Sequence, residues 1–436
     1  MYTKLYQHQI DGLKQSESFN HVAYYWDMGL GKTFVGSEKM IQLNEKINLV
    51  VCQKSKIDDW IDHFDEHYRL ENGGDFVIYD LTDKASLIAF IETASFAKKD
   101  CCPKIVGIIN YDLLFRRSEL LKLEGFTLLL DESSLIQNEN AKRSKFILKM
   151  KPKNVILLSG TPTGGKYEKL WSQMHLLGWN ISKKMYWNQF INVEYLDTLE
   201  RSIPIVTGYK NVDRLKRKMN EYGCQFLKSD EVFDLPDQIF QKIRIPTTKD
   251  YRKFRKDKIV VIGENELVGD TSLKRMLYER MLCGMYNAAK LKAFKDLVES
   301  TDDRLIVFYN FNEELRQLET VCIEADKTHS VVNGSVKDLG AYERNDDSVT
   351  FIQYQAGAMG LNLQKANKII YFTLPLSSEL YEQSKKRIHR IGQDQTCFYY
   401  QLICTGSIEE KILKTLEMRK DYTEKLFEKD DEIVTA

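Results

Sequence analysis

Val22-Ala23-Tyr24-Tyr25-Trp26-Asp27-Met28-Gly29-Leu30-Gly31-Lys32-Thr33-Phe34-Val35-Gly36 is the stretch on which the fold turns. An apolar run gives way to two glycines, and Lys32 and Thr33 open a segment of helical periodicity. Strand, glycine turn and helix, in that order, are the context a phosphate-binding loop requires. Glycine lets main-chain N–H groups curl round phosphate oxygens with no Cβ in the way, and the start of the helix adds partial positive charge. Met28, Gly29, Leu30 and Gly31 supply this cradle. Lys32 reaches the β- and γ-phosphates, and the Thr33 hydroxyl can ligate Mg²⁺. The general pattern asks for glycine five residues before Gly31, where this chain has Trp26.

Working outward, the region up to about Gly178 alternates short apolar runs with amphipathic ones. Val22–Tyr25, Leu49–Cys52, Phe76–Tyr79, Ile105–Ile109, Leu128–Leu130 and Val155–Leu158 read as buried strands, with helices predicted over Thr33–Gln42, Lys56–Phe64 and Ala141–Met150. Such alternation implies a parallel sheet covered on both faces. From Gly178 to Phe233 the pattern turns aromatic, basic and irregular, and reads as a helical insertion. Leu235-Pro236-Asp237 breaks the chain. Helical segments over Ser272–Glu299 lead to a second alternating region, with strands predicted at Leu305–Tyr309, Ser330–Val332, Val349–Gln353, Ile369–Phe372 and Cys397–Ile403. Ser407 to Glu428 reads as a charged helix. The fold class is α/β, with two sheet domains.

Leu128-Leu129-Leu130-Asp131-Glu132-Ser133-Ser134 puts two acids at the end of an apolar strand. Charge there is costly without partners. A Mg²⁺ held by nucleotide phosphates supplies one, so Asp131 is assigned to the metal and Glu132 to orienting and deprotonating the attacking water. The bland alternative is a turn with Asp131 as a helix cap.

Composition narrows the class. With 436 residues, 43% hydrophobic and 29% charged, the chain has room for two or three domains and no run long enough to span a membrane. The start, MYTKLYQHQIDGL, lacks a signal peptide's pattern, so an intracellular, cytoplasmic setting is expected. The eight cysteines include the adjacent Cys101 and Cys102 but no C-x-x-C pair, which argues against a zinc ribbon. Lys plus Arg and Asp plus Glu are 63 each, so nucleic acid must be met by local basic surfaces. Lys142–Lys153, Lys210–Lys218, Lys249–Lys258 and Lys385–Arg390 are the candidates, each also readable as a solvated helix face. Trp179, Tyr186 and Trp187 read as core rather than base-stacking platforms.

Taken together, these residues resemble the Swi/Snf-like ATPases of helicase superfamily two over nearly the whole chain. Leu5-Tyr6-Gln7-His8-Gln9-Ile10-Asp11-Gly12-Leu13 is similar to the family's adenine-recognition segment, with Gln9 as its amide. Asp27–Thr33 resembles motif one. Leu49-Val50-Val51-Cys52 through Trp60 and Phe64, and Ile108-Ile109-Asn110-Tyr111, resemble the elements before the acidic motif. Asp131–Asn138 with Lys142-Arg143-Ser144 resembles motif two and its basic follow-on helix. Leu158-Ser159-Gly160-Thr161-Pro162 resembles motif three. Later, Ile306-Val307-Phe308-Tyr309, Asn333-Gly334-Ser335, Gly357-Ala358-Met359-Gly360-Leu361-Asn362-Leu363 and Gln383-Ser384-Lys385-Lys386-Arg387-Ile388-His389-Arg390-Ile391-Gly392-Gln393 resemble motif four, a Gly-Ser turn, motif five and motif six. Thr405-Gly406-Ser407-Ile408-Glu409-Glu410 is similar to the family's ending. The chain reads Asp-Glu-Ser-Ser where the family has Asp-Glu-Ala-His. The span between Ser335 and Gln353 is short enough for a helix to be missing.

The resemblance implies two RecA-like doubly wound lobes (1–180 and 301–406), a helical insertion and linker (181–300, hinge near 235–237) and a C-terminal brace helix (407–436). It implies ATP and Mg²⁺ as cofactors, with Gln383 and Gly360 joining the nucleotide site. Arg387 and Arg390, on the second lobe, reach the γ-phosphate when the lobes close. Lys142, Arg143, Ser159, Thr161, Gly357, Ala358 and Met359 are expected on phosphates of a nucleic-acid track, most readily double-stranded DNA. His389 reads as structural. The leading expectation is a monomeric ATP-dependent DNA translocase. The alternatives are a strand-separating DNA or RNA helicase and a nucleotide-gated clamp without turnover. The lack of recognisable reader or nuclease segments suggests a compact bacterial or viral motor.

Overall fold

The computed structural model describes residues 4–68, 76–96, 103–197, 202–357 and 361–427, and its chain divides into two compact units at the Val232–Phe233 junction.

Among the described residues the first unit has nine strands: β1 (His21–Trp26), β2 (Ile47–Cys52), β3 (Phe76–Asp80), β4 (Lys104–Asn110), β5 (Phe126–Asp131), β6 (Asn154–Leu158), β7 (Ile191–Asp197), β8 (Ser202–Tyr209) and β9 (Cys224–Leu227). Seven form one sheet in the order β3-β4-β2-β5-β6-β1-β9, every neighbouring pair parallel. Strand side chains alternate between faces. Tyr25, Leu49, Val51, Leu128 and Leu130 line one core, while their neighbours Tyr24, Trp26, Val50 and Leu129 are equally buried on the other face. Both faces are therefore covered, as unbroken apolar runs require. Gly36 brings the helix Lys32–Leu43 close to the sheet, since a Cβ there would press on Leu129 and Leu158.

All six strands expected in this region form, and the helices Lys32–Leu43, Ile57–Tyr68 and Lys142–Lys149 cover the three expected ones to within a few residues. The reading of 181–300 as one helical insertion does not hold. Residues up to Val232 belong to the first unit, as an antiparallel hairpin (β7 and β8), a helix (Val212–Glu221) and β9, the seventh strand of the sheet. Trp179 and Tyr186 are core, as read, and Trp187 is half-buried under the Lys183 ammonium.

The second unit begins with β10 (Gln238–Ile245), then the hairpin of β11 (Ile259–Ile262) and β12 (Asn265–Val268). It continues with β13 (Leu305–Tyr309), β14 (His329–Val332), β15 (Val349–Gln353), β16 (Lys368–Tyr371) and β17 (Cys397–Cys404). Its six-stranded sheet runs β10-β17-β16-β13-β15-β14, again with every pair parallel. The five predicted strands are all present. β10 was not predicted: it is an edge strand, its polar and apolar residues mostly exposed. Ser272–Glu299 is two helices, Ser272–Cys283 and Ala288–Glu299, and the short span after Ser335 does hold a helix, Gly340–Arg344.

The C-terminal segment 407–436 was expected to form a brace helix. The helix Ile408–Phe427 forms there and buries Ile412, Leu413 and Leu416 in the second core. The fully buried ion pair of Lys290 with Glu409 (2.5 Å) fixes its start. Among the described residues, no helix is long and apolar enough to cross a membrane.

Candidate active site

In the first unit the chemistry-bearing residues converge where β1, β5 and β6 end, the carboxyl edge at which open parallel sheets bind ligands. β1 stops at Trp26 and the helix starts at Lys32. The turn between them needs two residues of positive φ, Gly29 (88°) and Gly31 (69°), a conformation that costs an L side chain energy. At Gly31 a Cβ would also overlap the amide of Gln9. Gln9 is buried, accepts the Tyr6 N–H at 2.9 Å and donates to the Leu30 and Gly31 carbonyls at 3.4 and 3.3 Å. His8 donates to the same Leu30 carbonyl at 3.0 Å. The segment around His8 and Gln9 thus buttresses the loop directly.

Lys32 Nζ donates to the carbonyls of Trp26 and Asp27 at 2.9 and 3.0 Å, which curls the side chain back over its own loop. This accounts for Trp26 where glycine is usual. Its side chain is buried against Gly12, at which a Cβ would strike the indole, and only its carbonyl serves the lysine. The turn after β9 also supports the loop: Ser229 N–H donates to the Asp27 carboxylate at 3.1 Å and its hydroxyl to the Met28 carbonyl at 3.4 Å.

Asp131 ends β5. Trp60 Nε1–H donates to its Oδ2 at 2.9 Å and the Tyr111 hydroxyl to its main-chain carbonyl at 2.8 Å. Burial pushes the carboxyl above the usual aspartate range, opposed by the Trp60 hydrogen bond and the Lys32 charge. Thr33 and Asp131 offer a hydroxyl and a carboxylate, the hard oxygen donors that suit Mg²⁺. Trp60 takes only one carboxylate oxygen, so this donor set fits the ion. Glu132 has φ 52° and ψ 58°, a left-handed conformation of a kind that costs roughly 1–3 kcal/mol and gathers at functional sites. Ser159 Oγ lies 3.5 Å from its Oε2.

Several expected nucleic-acid contacts require correction. Ser159 is fully buried, facing Glu132 and accepting the Thr161 N–H at 3.2 Å; Thr161 is also buried. Neither offers a hydroxyl at the surface. Between them Gly160 packs on Met28 of the glycine loop. Arg143 is half-buried, its Nε–H bound to the Leu135 carbonyl at 2.9 Å, whereas Lys142 and Lys145 are exposed. Gly357 ends the helix Tyr354–Gly357, and Ala358, Met359 and Gly360 lie outside the described residues.

In the second unit Gln383 is buried on the helix Ser378–Lys385. Arg387 is buried, with Nη1–H directed to the Leu361 carbonyl at 3.4 Å, and Arg390 is half-buried, its Nη1 bound to Asn362 Oδ1. Both arginines therefore meet the segment that follows Gly360. Burial lowers the Arg390 pKa from the usual arginine value. His389 donates to the Pro236 carbonyl at 2.9 Å, a structural role as read.

Three residues of the first site were not singled out in the sequence: Tyr111 as a clamp on Asp131, Ser229 on the loop, and Gln173. Gln173 accepts from the hydroxyls of Tyr25 and Ser133 and donates to the Pro162 carbonyl. The only trace of it in sequence is a polar residue amid Trp171, Met174, Leu176 and Leu177.

Residues 25–290 match the SNF2-related domain and 289–392 the helicase conserved C-terminal domain. The chain is 24% identical over 443 residues to the ISWI chromatin-remodeling complex ATPase ISW1 of Saccharomyces cerevisiae, covering 91% of this chain and 38% of that protein. It is 24% identical over 344 residues to the mouse DNA annealing helicase and endonuclease ZRANB3, covering 73% and 32%. The chain thus spans well under half the length of the curated relatives it matches. Among solved structures, the Sulfolobus solfataricus SWI2/SNF2 ATPase core in complex with dsDNA matches at 20% identity and a TM-score of 0.45, over 97% of this chain and 92% of that one.

Proposed function

The chain belongs to the SNF2-related family of helicase superfamily two, and on that premise we propose that it is an ATP-hydrolysing motor that translocates along double-stranded DNA. The observation that carries this reading is the convergence of Lys32, Asp131 and Glu132 at one sheet edge, each held by partners of its own. The loop N–H groups and Lys32 bind the β- and γ-phosphates. Thr33 and Asp131 hold Mg²⁺, which when bound offsets the negative charge of the phosphate oxygens. Glu132 orients a water and takes its proton as the water oxygen attacks the γ-phosphorus. The bond to the bridging oxygen breaks, leaving ADP and phosphate. Arg387 and Arg390 are assigned to the transition-state charge, because guanidinium is permanently cationic and its planar fork matches phosphate.

Lys142 and Lys145, exposed on the helix after the acidic motif, are assigned to the DNA backbone. Backbone contacts give little sequence preference and strong salt dependence. Steady-state hydrolysis measured with duplex DNA, single-stranded DNA, RNA and no nucleic acid tests the reading. Duplex is expected to stimulate most. A rate unmoved by any nucleic acid sinks the motor. Lys32→Ala and Glu132→Gln should each cut turnover by roughly 10²-fold or more, with ATP binding kept in Glu132→Gln.

A further inference from the structure

We infer that Gln173 is a positioning residue that locks the turn carrying Glu132 to the Ser159–Pro162 loop; the inference rests on the ATPase reading above. Gln173 lies on the helix Trp171–Leu176 and has no exposed surface. Its Oε1 accepts from Ser133 Oγ–H at 2.8 Å and from the Tyr25 hydroxyl at 3.0 Å, and its Nε2 donates to the Pro162 carbonyl at 2.7 Å. One side chain thus joins three segments: β1, which feeds the phosphate loop; the 3-10 turn Ser133–Ile136, which Glu132 begins; and the loop after β6.

A buried amide is costly unless hydrogen-bonded, and an apolar side chain with apolar partners would serve packing as well. The polar arrangement therefore serves geometry. Ser133 is the residue after Glu132, whose left-handed backbone needs a restraint from outside. Gln173 holds the start of the turn. The Ile136 carbonyl at its end accepts from Ser172 Oγ at 2.7 Å and Ser144 Oγ at 3.3 Å. The contacts close into a ring that runs from Gln173 to Ser133 and Glu132, across to Ser159, along the chain to Pro162 and back to Gln173. Ser133 stands where the resembled motif has alanine, so the link to Gln173 is wiring of this chain's own.

Three substitutions separate positioning from packing. Ser133→Ala cuts the contact beside Glu132, and Gln173→Met removes the hub at similar volume. Tyr25→Phe removes a bond to the same acceptor from a residue away from Glu132. Duplex-stimulated kcat, KM for ATP and the thermal midpoint are read for each. Ser133→Ala and Gln173→Met should each lower kcat about 10-fold at nearly unchanged KM, and the double variant should be no worse than Gln173→Met, as expected of one coupled unit. Tyr25→Phe should lower the thermal midpoint as Ser133→Ala does yet keep kcat within about twofold. Wild-type kcat in Ser133→Ala, or an equal loss in Tyr25→Phe, overturns the inference and leaves Gln173 a packing residue. Should Gln173→Met not fold, the other two decide alone. An unsubstituted chain without ATPase activity overturns the parent reading instead, before any variant is compared.

Discussion

Each sheet carries an acid at or just beyond the end of a central strand, and the two acids are held in different ways. Asp131 follows β5 in the first unit; Glu314 lies just beyond β13 in the second, at the start of the helix Asn312–Glu324. Burial pushes both carboxyls above their usual range. Glu314 has no exposed surface, and one of its oxygens accepts from Asn310 N–H (3.0 Å), Phe311 N–H (3.1 Å) and the Thr373 hydroxyl (3.0 Å). Its other oxygen sits where a Cβ on Gly284 would have to go, so the chain closes round it. Asp131 is half-buried; Trp60 takes one of its oxygens and Tyr111 holds its carbonyl rather than its carboxylate. Burial and a shifted pKa do not by themselves mark a catalytic acid. What separates the two acids is the second oxygen: that of Glu314 is sealed in against Gly284, whereas Asp131 carries its second oxygen on a half-buried carboxyl at the sheet edge where the phosphate loop begins.

The largest expected effect on activity tests the Asp131 half of that contrast. Trp60→Phe keeps an aromatic side chain and deletes the indole N–H. Partners that orient a metal ligand are typically worth about 10- to 100-fold in metal affinity or activity. The Mg²⁺ needed for half-maximal turnover should rise about 10-fold. The fluorescence of a labelled ATP analogue, titrated in excess chelator, should give the wild-type affinity for the metal-free nucleotide. An unchanged Mg²⁺ requirement would mean that Trp60 only packs there, and the contrast with Glu314 would lose one side.

Glu314 tests the other half. Glu314→Ala strands two N–H groups and a hydroxyl, at about 1–3 kcal/mol for each group left unsatisfied. We expect a loss of about 3 kcal/mol in denaturant unfolding, with kcat per folded molecule unchanged. A fall in kcat at full folding would move Glu314 into the machinery and break the distinction.

Much of this was legible in sequence for a physical reason. Strands buried on both faces are written as unbroken apolar runs, so β1 to β6 and β13 to β17 could be read with their approximate ends. The hairpins β7–β8 and β11–β12 were missed, although β11 is the apolar run Ile-Val-Val-Ile, and β9 and β10 were missed for want of this signature. β9 is four residues, Cys-Gln-Phe-Leu, and β10 is an edge strand whose exposed Gln238, Gln241 and Lys242 disguise it. The same limit applies to the site. Lys32, Asp131 and Glu132 were visible because phosphate and metal chemistry fixes their type and spacing. Trp60, Tyr111 and Gln173 act through contacts 71, 20 and 40 residues distant in sequence, and nothing local encodes those. Ser159 and Thr161 are buried, which Ser-Gly-Thr after a strand does not announce, because the same triplet suits an exposed phosphate contact or a buried turn.

The smallest effect is one of pH, and it carries opposite signs in the two units. His63, on the helix that also supplies Trp60, is buried among Phe34, Trp60 and Phe64. The Ser37 hydroxyl donates to the Thr33 carbonyl at 2.9 Å, so His63 Nε2–H donates to Ser37 at 3.0 Å and the ring is neutral. Burial, with a smaller contribution from His67, lowers its pKa from 6.5 to about 3. The unfolded chain takes up a proton below 6.5 that the native ring refuses, so this contribution to stability is complete above 6.5 and is lost as pH falls toward 3. Glu314 acts in reverse. Its folded pKa lies above the ordinary 4.5, so its contribution is complete below 4.5 and is lost as pH rises through the raised value. Each slope is at most about 1.4 kcal/mol per pH unit. Unfolding free energies measured between about pH 5 and 8 should show a flatter acid limb in His63→Phe and a flatter alkaline limb in Glu314→Gln. If both substitutions flattened the same limb, the assignment of one buried base to the first unit and one buried acid to the second would fail.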